Sequence, residues 1–311
     1  MALFPVPILV NGATHSAQQF RMMVRDLVSG AEGITQGTDL KVTQLPTPST
    51  SVQVGDGSGV VRGRVSAFQG TYSVCNIGAA TVPIAATGGT ARSDMVILRV
   101  EDPEYEGTLN PAVDQVNYFE VIPNVSSTAT TIPDGRTGIP LARIDIPAST
   151  STITNAMIKD IRQMAAPRRE SRLLTQSPAT ASADITGSSL VYAYFTTAAG
   201  WNIPIPSWAS TARIRLDVAG LRLTVNPFYG VLRATFGASL IVQATTLDDN
   251  LSGTRRINTL VADTLTIPDA YRGTTQLLRA QGAGATGNTG RMSVDAAATL
   301  AAQIEFEEGP R

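Results

Sequence analysis

Most of the chain alternates short apolar runs with turn residues, a pattern typical of β-strands. Within residues 33–76, single valines alternate with polar neighbours, and Asp-Gly and Ser-Gly pairs mark tight turns between the runs. Further short apolar runs bounded by proline, glycine and aspartate are Met95–Val100, Val116–Ile122 and Leu141–Ile146. This spacing predicts a β-sandwich-like domain in the first half of the chain.

The second half carries its clearest strand pattern near the end. Apolar side chains occupy the even positions of one run, Met292, Val294, Ala296, Ala298, Leu300, Ala302, Ile304 and Phe306. Most odd positions are polar, which predicts a strand with one buried and one solvated face. Other strands are predicted at Leu190–Phe195, Arg213–Val218, Leu221–Val225, Val231–Val242 and Thr274–Ala280. Together they predict a second β-sandwich, jelly-roll-like in type.

Two stretches of the first half have helical spacing. Ser16 and Gln19 form a capping box, and Gly30 ends the run that follows it. The apolar face of this predicted helix is Phe20, Val24, Leu27 and Val28. A second helix, capped by Thr154, is predicted with the apolar face Ile153, Met157, Ile161 and Met164. The predicted fold class is therefore mainly β, with two β-sandwich-like domains and two short helices in the N-terminal half.

The 311 residues suffice for about two domains of ordinary size. We predict an N-terminal β-domain over residues 1–165 and a distal β-sandwich over residues 186–311. The intervening residues 166–185 begin with Ala-Pro-Arg-Arg-Glu-Ser-Arg and are predicted to be a linker. Arg168, Arg169 and Arg172 in this segment either grip an acidic partner or belong to an exposed hinge.

Composition narrows the range of partners. Only 16% of residues are charged, against a usual share of about 25%, and the net charge is -1. No long basic stripe is present, so we expect neither nucleic acid nor a membrane as a partner. Cys75 is the only cysteine, which excludes intrachain disulfides and multi-cysteine metal sites, and it is predicted to be a small buried hydrophobe.

The apolar N-terminal arm fits neither a signal peptide nor a membrane span, because it lacks a preceding basic residue and contains Pro5 and Pro7. We therefore expect a soluble protein made in a cytoplasm. An arm this apolar needs a covering surface, and we predict that it packs on a neighbouring subunit. The predicted interface residues are Leu3, Phe4, Val6, Ile8 and Leu9.

Several residues with chemical potential occur in contexts that favour structural roles. His15 stands beside a helix start, where its ring can bond local backbone instead of serving as a general base. Two acidic groups, Asp102 with Glu104 and Glu106, and Asp248-Asp249-Asn250, suit solvated turns better than a calcium site or a pair of catalytic carboxylates.

Gly282, Gly284 and Gly287 match the dinucleotide-binding spacing, with Glu305 about 20 positions later. The residues after Gly287 alternate with period two, whereas a phosphate-binding helix should start there, so we predict a loop between strands. No cofactor and no metal is expected.

Aromatic residues are scarce, yet several fall close together in the second half. Trp201, Trp208 and Tyr229 can stack against sugar rings if their faces are exposed, and otherwise they pack in the core. They are the candidate glycan contacts.

Several segments of the first half together resemble one protein family. They are Val10-Asn11-Gly12 before the capped helix, GITQGTDLKVTQLPTPSTSVQV, YSVCN, TGGTARSDMVILRVEDPEY, and IPLARIDIPAST leading into ITNAMIKDIRQMA. This half resembles the N-terminal module of minor tail or upper-baseplate proteins of long-tailed phages, especially those infecting actinobacteria. The resemblance implies a β-rich, usually trimeric attachment domain that anchors a tip protein to the tail. GWNIPIPSWASTARIRLDV is similar to the opening of distal domains that often face the host.

The function expected from these features is that of a structural virion protein and not of an enzyme. It would be synthesised in the host bacterial cytoplasm, form a homotrimer at the tail tip or baseplate, and contact other tail proteins and host-surface glycan. The alternatives are a host-glycan-binding module without virion assembly, and a cell-wall glycan hydrolase. A hydrolase would use Asp102 and Glu104, or Asp248 and Asp249, as its carboxylates.

Overall fold

The computed structural model describes residue 4 and residues 6–311. The chain forms two compact units, one of residues up to Pro167 together with Gly309–Arg311, and one of Arg168–Glu308. Both are built from antiparallel sheets, so the mainly-β prediction is confirmed. No helix in the described part of the chain is long and apolar enough to cross a membrane.

Unit 1 begins with one helix and continues as short strands. Its elements are α1 (Ala17–Leu27), β1 (Gly33–Ile34), β2 (Val42–Gln44), β3 (Ser51–Val54), β4 (Gly57–Arg62), β5 (Thr71–Asn76), β6 (Ala80–Pro83), β7 (Arg92–Val100), β8 (Asn117–Val125), β9 (Gly138–Ile146) and β10 (Ile158–Asp160). They pair in the orders β1-β4-β5, β2-β3-β6 and β10-β9-β7-β8. The capping box of α1 forms as predicted, since Ser16 accepts from the backbone of Gln19 and the Gln19 side chain accepts from the backbone of Ser16.

The core of unit 1 lies among these three sheets. Val52, Val54 and Val61 are fully buried, which explains the single valines that alternate with polar residues in the sequence. Strand β7 is buried on both faces because Met95 and Ile97, on its other side, belong to a second small cluster with Ile122, against which Ile132 and Ile161 pack.

Unit 2 is a β-sandwich. Its strands are β11 (Arg169–Gln176), β12 (Ala193–Tyr194), β13 (Gly200–Pro204), β14 (Thr211–Thr224), β15 (Phe228–Phe236), β16 (Leu240–Asp249), β17 (Arg255–Thr266), β18 (Thr275–Gly284), β19 (Arg291–Ser293) and β20 (Thr299–Glu307). One sheet has the order β11-β20-β14-β17 with β19 also on β14, and the other has the order β12-β18-β15-β16 with β13 also on β18. A single apolar core with contributions from both sheets includes Ile214, Leu216, Leu232 and Phe236.

Alternation along β14 and β20 behaves as predicted. Leu300, Ala302, Ile304 and Phe306 are all fully buried between polar neighbours. The two strands predicted at 213–218 and 221–225 are one strand with a bulge at Gly220, whose φ of 73° suits glycine. The long even-position run is interrupted, however, because a turn at Asp295–Ala298 separates β19 from β20. Likewise, the predicted strand 231–242 is a hairpin that turns at Gly237.

The prediction of a second helix was wrong. The segment holds only a 3-10 turn, Asn155–Met157, and Thr154 makes no side-chain cap. Strand β10 follows at once, with Ile158 opposite Ile144 on the edge of β9. The apolar residues of this segment have helical spacing, but several of them are β-branched and favour a helix only weakly. Pairing with the open edge of the sheet therefore determines the structure of this segment.

The linker predicted at 166–185 was also wrong. Strand β11 pairs with β20 over the whole of Arg169–Gln176, so this segment is part of unit 2. The sequence does not predict this strand because it lies at a sheet edge, where exposed positions alternate with half-buried ones. Of its apolar side chains, only Leu174 packs against the core.

Candidate functional site

The outer face of one unit 2 sheet carries a compact group of tyrosine and arginine side chains. In the register of this sheet, Tyr194 lies opposite Gln281, and Gln281 lies opposite Arg233. Arg279 is two positions from Gln281 on β18, and Tyr192 is two positions before Tyr194, so all five share one face. We call this group, Tyr192, Tyr194, Arg233, Arg279 and Gln281, the tyrosine–arginine face.

Each arginine of this face is stacked on a tyrosine ring. The guanidinium carbon of Arg233 lies 3.4 Å from the ring centroid of Tyr192, and that of Arg279 lies 4.3 Å from the centroid of Tyr194. Hydrogen bonds fix the two guanidinium groups, because Nε of Arg233 donates to Gln281 at 2.7 Å and Nε of Arg279 donates to the Thr196 carbonyl at 3.0 Å. The stacks are therefore preorganised.

The charge of this face is not neutralised. Other arginines of unit 2, such as Arg213, Arg255 and Arg256, form ion pairs with Glu or Asp. Arg233 and Arg279 have no carboxylate partner among the described residues, and strands β12, β15 and β18 contain no acidic residue. Their terminal nitrogens thus remain available as charge-assisted donors.

The three predicted glycan contacts do not form one platform. Trp201 and Trp208 are half-buried and pack against the core of unit 2, and Arg168 lies 5.4 Å over the Trp208 ring. Tyr229 is 42% exposed, on the same face of β15 as Arg233. Trp201 lies level with Phe236 across β18, and Tyr229 lies seven positions before Phe236. That offset corresponds to about 23 Å along the sheet.

None of the five residues of the tyrosine–arginine face was predicted from the sequence. The available signal was the two-residue spacing of Tyr192 and Tyr194 inside one predicted strand, and of Arg279 and Gln281 at the end of another. Neither pair indicates a site until the strand register brings them together.

A second surface lies on unit 1, where apolar side chains of the arm and of α1 are open to solvent. Phe20 is 45% exposed, Leu27 77% and Leu9 83%, and Phe4 and Val10 are also exposed. We call these five residues the arm–helix surface. Within the predicted interface, Val6 and Ile8 are half-buried, and Leu3 lies outside the described residues.

Gln19 links the arm to the helix. It is the only buried residue of α1, and its side-chain nitrogen donates to the Val6 carbonyl at 2.7 Å. The predicted apolar face of α1 is therefore only partly covered: Phe20 and Leu27 are exposed, Val24 and Val28 are half-buried, and Gln19 is the residue that faces inward.

The acidic turn at Asp102 fastens α1 to the sheets. Arg21 contacts Asp102 at 3.3 Å and Glu104 at 2.7 Å, and its guanidinium lies over the rings of Tyr72 and Tyr105. Tyr72 donates to Asp102 at 2.7 Å. Burial, reinforced by this hydrogen bond, raises the pKa of the Tyr72 phenol above its ordinary value. These carboxylates are engaged in holding structure together.

The remaining candidates also have structural partners. Glu106 accepts from Arg99 at 2.9 Å, and Asp249 accepts from Arg255 and from the backbone of Leu251. Asp248 is exposed opposite Tyr229, and Asn250 follows the end of β16. No group of three or more potential metal ligands occurs within residues 6–311.

The glycine motif and His15 take the places expected of structural residues. Gly282 and Gly284 lie in β18, Gly287 lies in a turn, and β19 follows instead of a helix. His15 meets the Phe20 ring edge-on at 6.1 Å between centroids, and its buried Nδ1 has no hydrogen-bond partner among the described residues, so the predicted bond to local backbone is not seen there.

The linker arginines and Cys75 differ from their predictions. Arg168 pairs with Glu308, Arg169 with Glu307 and Arg172 with Glu170, so the hinge interpretation was wrong. Cys75 was predicted to be buried and is exposed, because it occupies an outward position of β5.

Comparison with known proteins gives only weak likenesses. No protein-family model and no curated protein matches the chain. A structure of infectious bursal disease virus strain Gx matches 90% of this chain and 71% of its own, with 12% identity and a TM-score of 0.27. A Bacillus thuringiensis Cry1Da tryptic core variant matches 98% of this chain and 57% of its own, with 8% identity and a TM-score of 0.22.

A structure of carbohydrate-binding modules from the β-sandwich superfamily matches 85% of this chain and 94% of its own, with 8% identity and a TM-score of 0.18. These scores are too low to support an argument about function, which therefore rests on the residues themselves.

Proposed function

We propose that this protein is a non-catalytic structural subunit of a phage tail tip, which forms a homotrimer through unit 1 and contacts the host surface through unit 2. The tail-tip assignment draws on the sequence resemblance of the first half. The observation that carries the assembly role is the arm–helix surface. Its side chains are exposed on the arm and on α1, and Gln19 ties these two segments together through the Val6 carbonyl.

A second copy of the chain is the occupant that best suits this surface. None of its five side chains is charged, so contact with another apolar surface involves no desolvation of ions. Fully burying an exposed side chain of this size contributes roughly 1.5–3 kcal/mol, so Leu27, which is 77% exposed, gains most of that amount and Phe20, which is 45% exposed, gains about half. A few such side chains per subunit act against the entropy cost of association. Cyclic symmetry lets each copy provide the same patch.

The non-catalytic part of the proposal is supported by the carboxylates. A glycan hydrolase needs an acid and a base facing one sugar, and Asp102 and Glu104 instead share Arg21. Asp249 is likewise paired with Arg255. The site of action would be the virion, after synthesis in the host bacterial cytoplasm, with other tail proteins as neighbours.

Light scattering on the purified protein tests assembly. We expect the wild type to have three times the chain mass of 32.7 kDa, and Phe20→Ser with Leu27→Ser to have the mass of one chain. Val113→Ser is the matched control, because Val113 is 79% exposed but lies outside the arm–helix surface. A folded wild type that runs as a monomer contradicts the proposal.

Location requires a separate experiment. Gold-labelled antibody against the protein should mark the tail tip of intact particles in electron micrographs. Labelling confined to the capsid, or none on particles that contain the protein, contradicts the tail-tip assignment.

A further inference from the structure

We infer that the tyrosine–arginine face binds an anionic polysaccharide, with the two arginines gripping its carboxylate or phosphate groups. This inference specifies the ligand of the host-contacting role proposed above and rests on that role for the biological source of the ligand. The binding chemistry itself follows from the described side chains of unit 2.

Charge complementarity favours an anionic ligand on this face. A guanidinium placed on a sheet without a carboxylate partner produces a positive potential, and here two such groups lie close together. Arg233 and Arg279 are diagonal neighbours on adjacent strands, a placement that separates positions by about 7–8 Å. A polymer with repeated negative charge can satisfy both, whereas a neutral glycan leaves them without a counter-charge.

The two guanidinium groups are held in fixed orientations. Stacking on Tyr192 and Tyr194 fixes the plane of each guanidinium, and the bonds from Nε to Gln281 and to the Thr196 carbonyl fix its rotation. Terminal nitrogens held this way match the two oxygens of a carboxylate or phosphate. Binding then loses little side-chain entropy, which favours even a small contact.

Exposed aromatic rings on the same face can contact the sugar rings of such a polymer. The guanidinium of an arginine covers at most one face of a tyrosine ring. Tyr194 accordingly remains 42% exposed although Arg279 is stacked on it. Tyr229 extends the same face of β15 by four positions, about 13 Å, and is also 42% exposed. A chain of sugars running along β15 would therefore meet the anion donors at one end and the Tyr229 ring at the other, where the exposed carboxylate opposite that ring, Asp248, favours an uncharged part of the polymer.

Nucleic acid fits this face less well. Tracking a phosphate backbone usually involves roughly 6–10 basic contacts, and this face offers two. The net charge of -1 provides no wider attraction. The test nevertheless includes single-stranded DNA as a competing anion.

The experiment is calorimetric titration of the full-length protein with polygalacturonate, with poly(glycerol phosphate) and with neutral dextran. We expect heat of binding with one or both anionic polymers and none with dextran, and the preferred polymer distinguishes a carboxylate from a phosphate source. Arg233→Gln with Arg279→Gln should weaken binding about tenfold or more. Arg215→Gln is the matched control, because Arg215 is exposed and paired with Asp217.

Folding and assembly are monitored separately. Arg233→Gln leaves Gln281 without its donor, so thermal unfolding is recorded for each variant, and Arg233→Lys with Arg279→Lys serves as a second variant. This lysine pair keeps the charge but loses the planar fork, and we expect binding between wild type and the glutamine pair.

Equal binding of dextran, tighter binding of single-stranded DNA than of either polymer, or unchanged affinity in a folded glutamine pair overturns the inference. If light scattering shows a change of mass in that pair and calorimetry shows no binding by the wild type, the face is an assembly contact and the inference is wrong. Loss of trimer formation by Phe20→Ser with Leu27→Ser bears only on the proposed function.

Discussion

Replacing Arg21 by Met should loosen the attachment of α1 to the sheets of unit 1. Methionine retains much of the apolar stem but lacks the guanidinium that contacts Asp102, Glu104 and the Gln69 carbonyl. It also removes the cation that lies over the Tyr72 ring. The substitution therefore separates the charge network from simple packing.

The magnitude follows from burial. The side chains of Arg21 and Asp102 are 11% and 15% exposed, and breaking a buried ion pair by removing one partner costs about 3–5 kcal/mol. Glu104 is 54% exposed, so its pair adds little. Because Tyr72 still donates to Asp102, we expect the lower end, about 3 kcal/mol, in the unfolding free energy of unit 1.

Urea unfolding followed by two probes measures this change. Both tryptophans lie in unit 2, so their fluorescence should be unaffected, while hydrogen exchange of the β7 amides reports on unit 1. Arg25→Met is the control from the next turn of α1: Arg25 is 35% exposed and Asp26 is 67% exposed, so less than about 1 kcal/mol should be lost. Equal losses for the two variants would refute the buried-pair reasoning.

Two further predictions concern titration and reactivity. The hydrogen bond from Arg143 lowers the pKa of Asp145 below its ordinary value, so the stability present above the unfolded pKa of about 4 should be lost as pH falls through the folded pKa. Asp145→Asn should flatten the fall in urea midpoint between about pH 5 and about pH 3, and an unchanged slope would contradict the assignment. Exposed Cys75, with Ser58 Oγ 3.1 Å from its sulfur, should react with a disulfide reagent in the native protein, and reaction only after denaturation would show that it is covered.

Strands could be predicted from the sequence where one face of the strand is buried and the other is exposed to solvent. Leu300 and Ile304 are fully buried between polar neighbours, and their alternation is visible in the sequence. The same rule failed for β11, which lies at a sheet edge and presents only Leu174 to the core. Prediction from the pattern also failed at residues 153–164. The apolar spacing there is compatible with a helix, but it is equally compatible with a turn followed by a short strand that places Ile158 beside the edge of β9.

The arm–helix surface was half predictable. An apolar segment at the surface indicates that another apolar surface packs against it, and this expectation does not depend on the fold. The sequence predicts an apolar face on α1 that includes Phe20 and Leu27, yet both are exposed and the buried residue is Gln19. Helical spacing of apolar residues shows that a helix has an apolar face, but it does not identify the surface that covers this face.

The tyrosine–arginine face shows what sequence patterns cannot supply. Arg213 and Arg233 occupy equivalent outward positions of alternating strands, and nothing nearby in the sequence distinguishes them. Register places Glu305 opposite Arg213, 3.7 Å from its guanidinium, and it places Gln281 opposite Arg233. A carboxylate neutralises the first arginine, whereas an amide only orients the second and leaves its charge available. The difference between a solvated ion pair and a binding group is thus decided by one cross-strand neighbour about 50–90 positions away in the chain, which becomes known only when the sheet register is known.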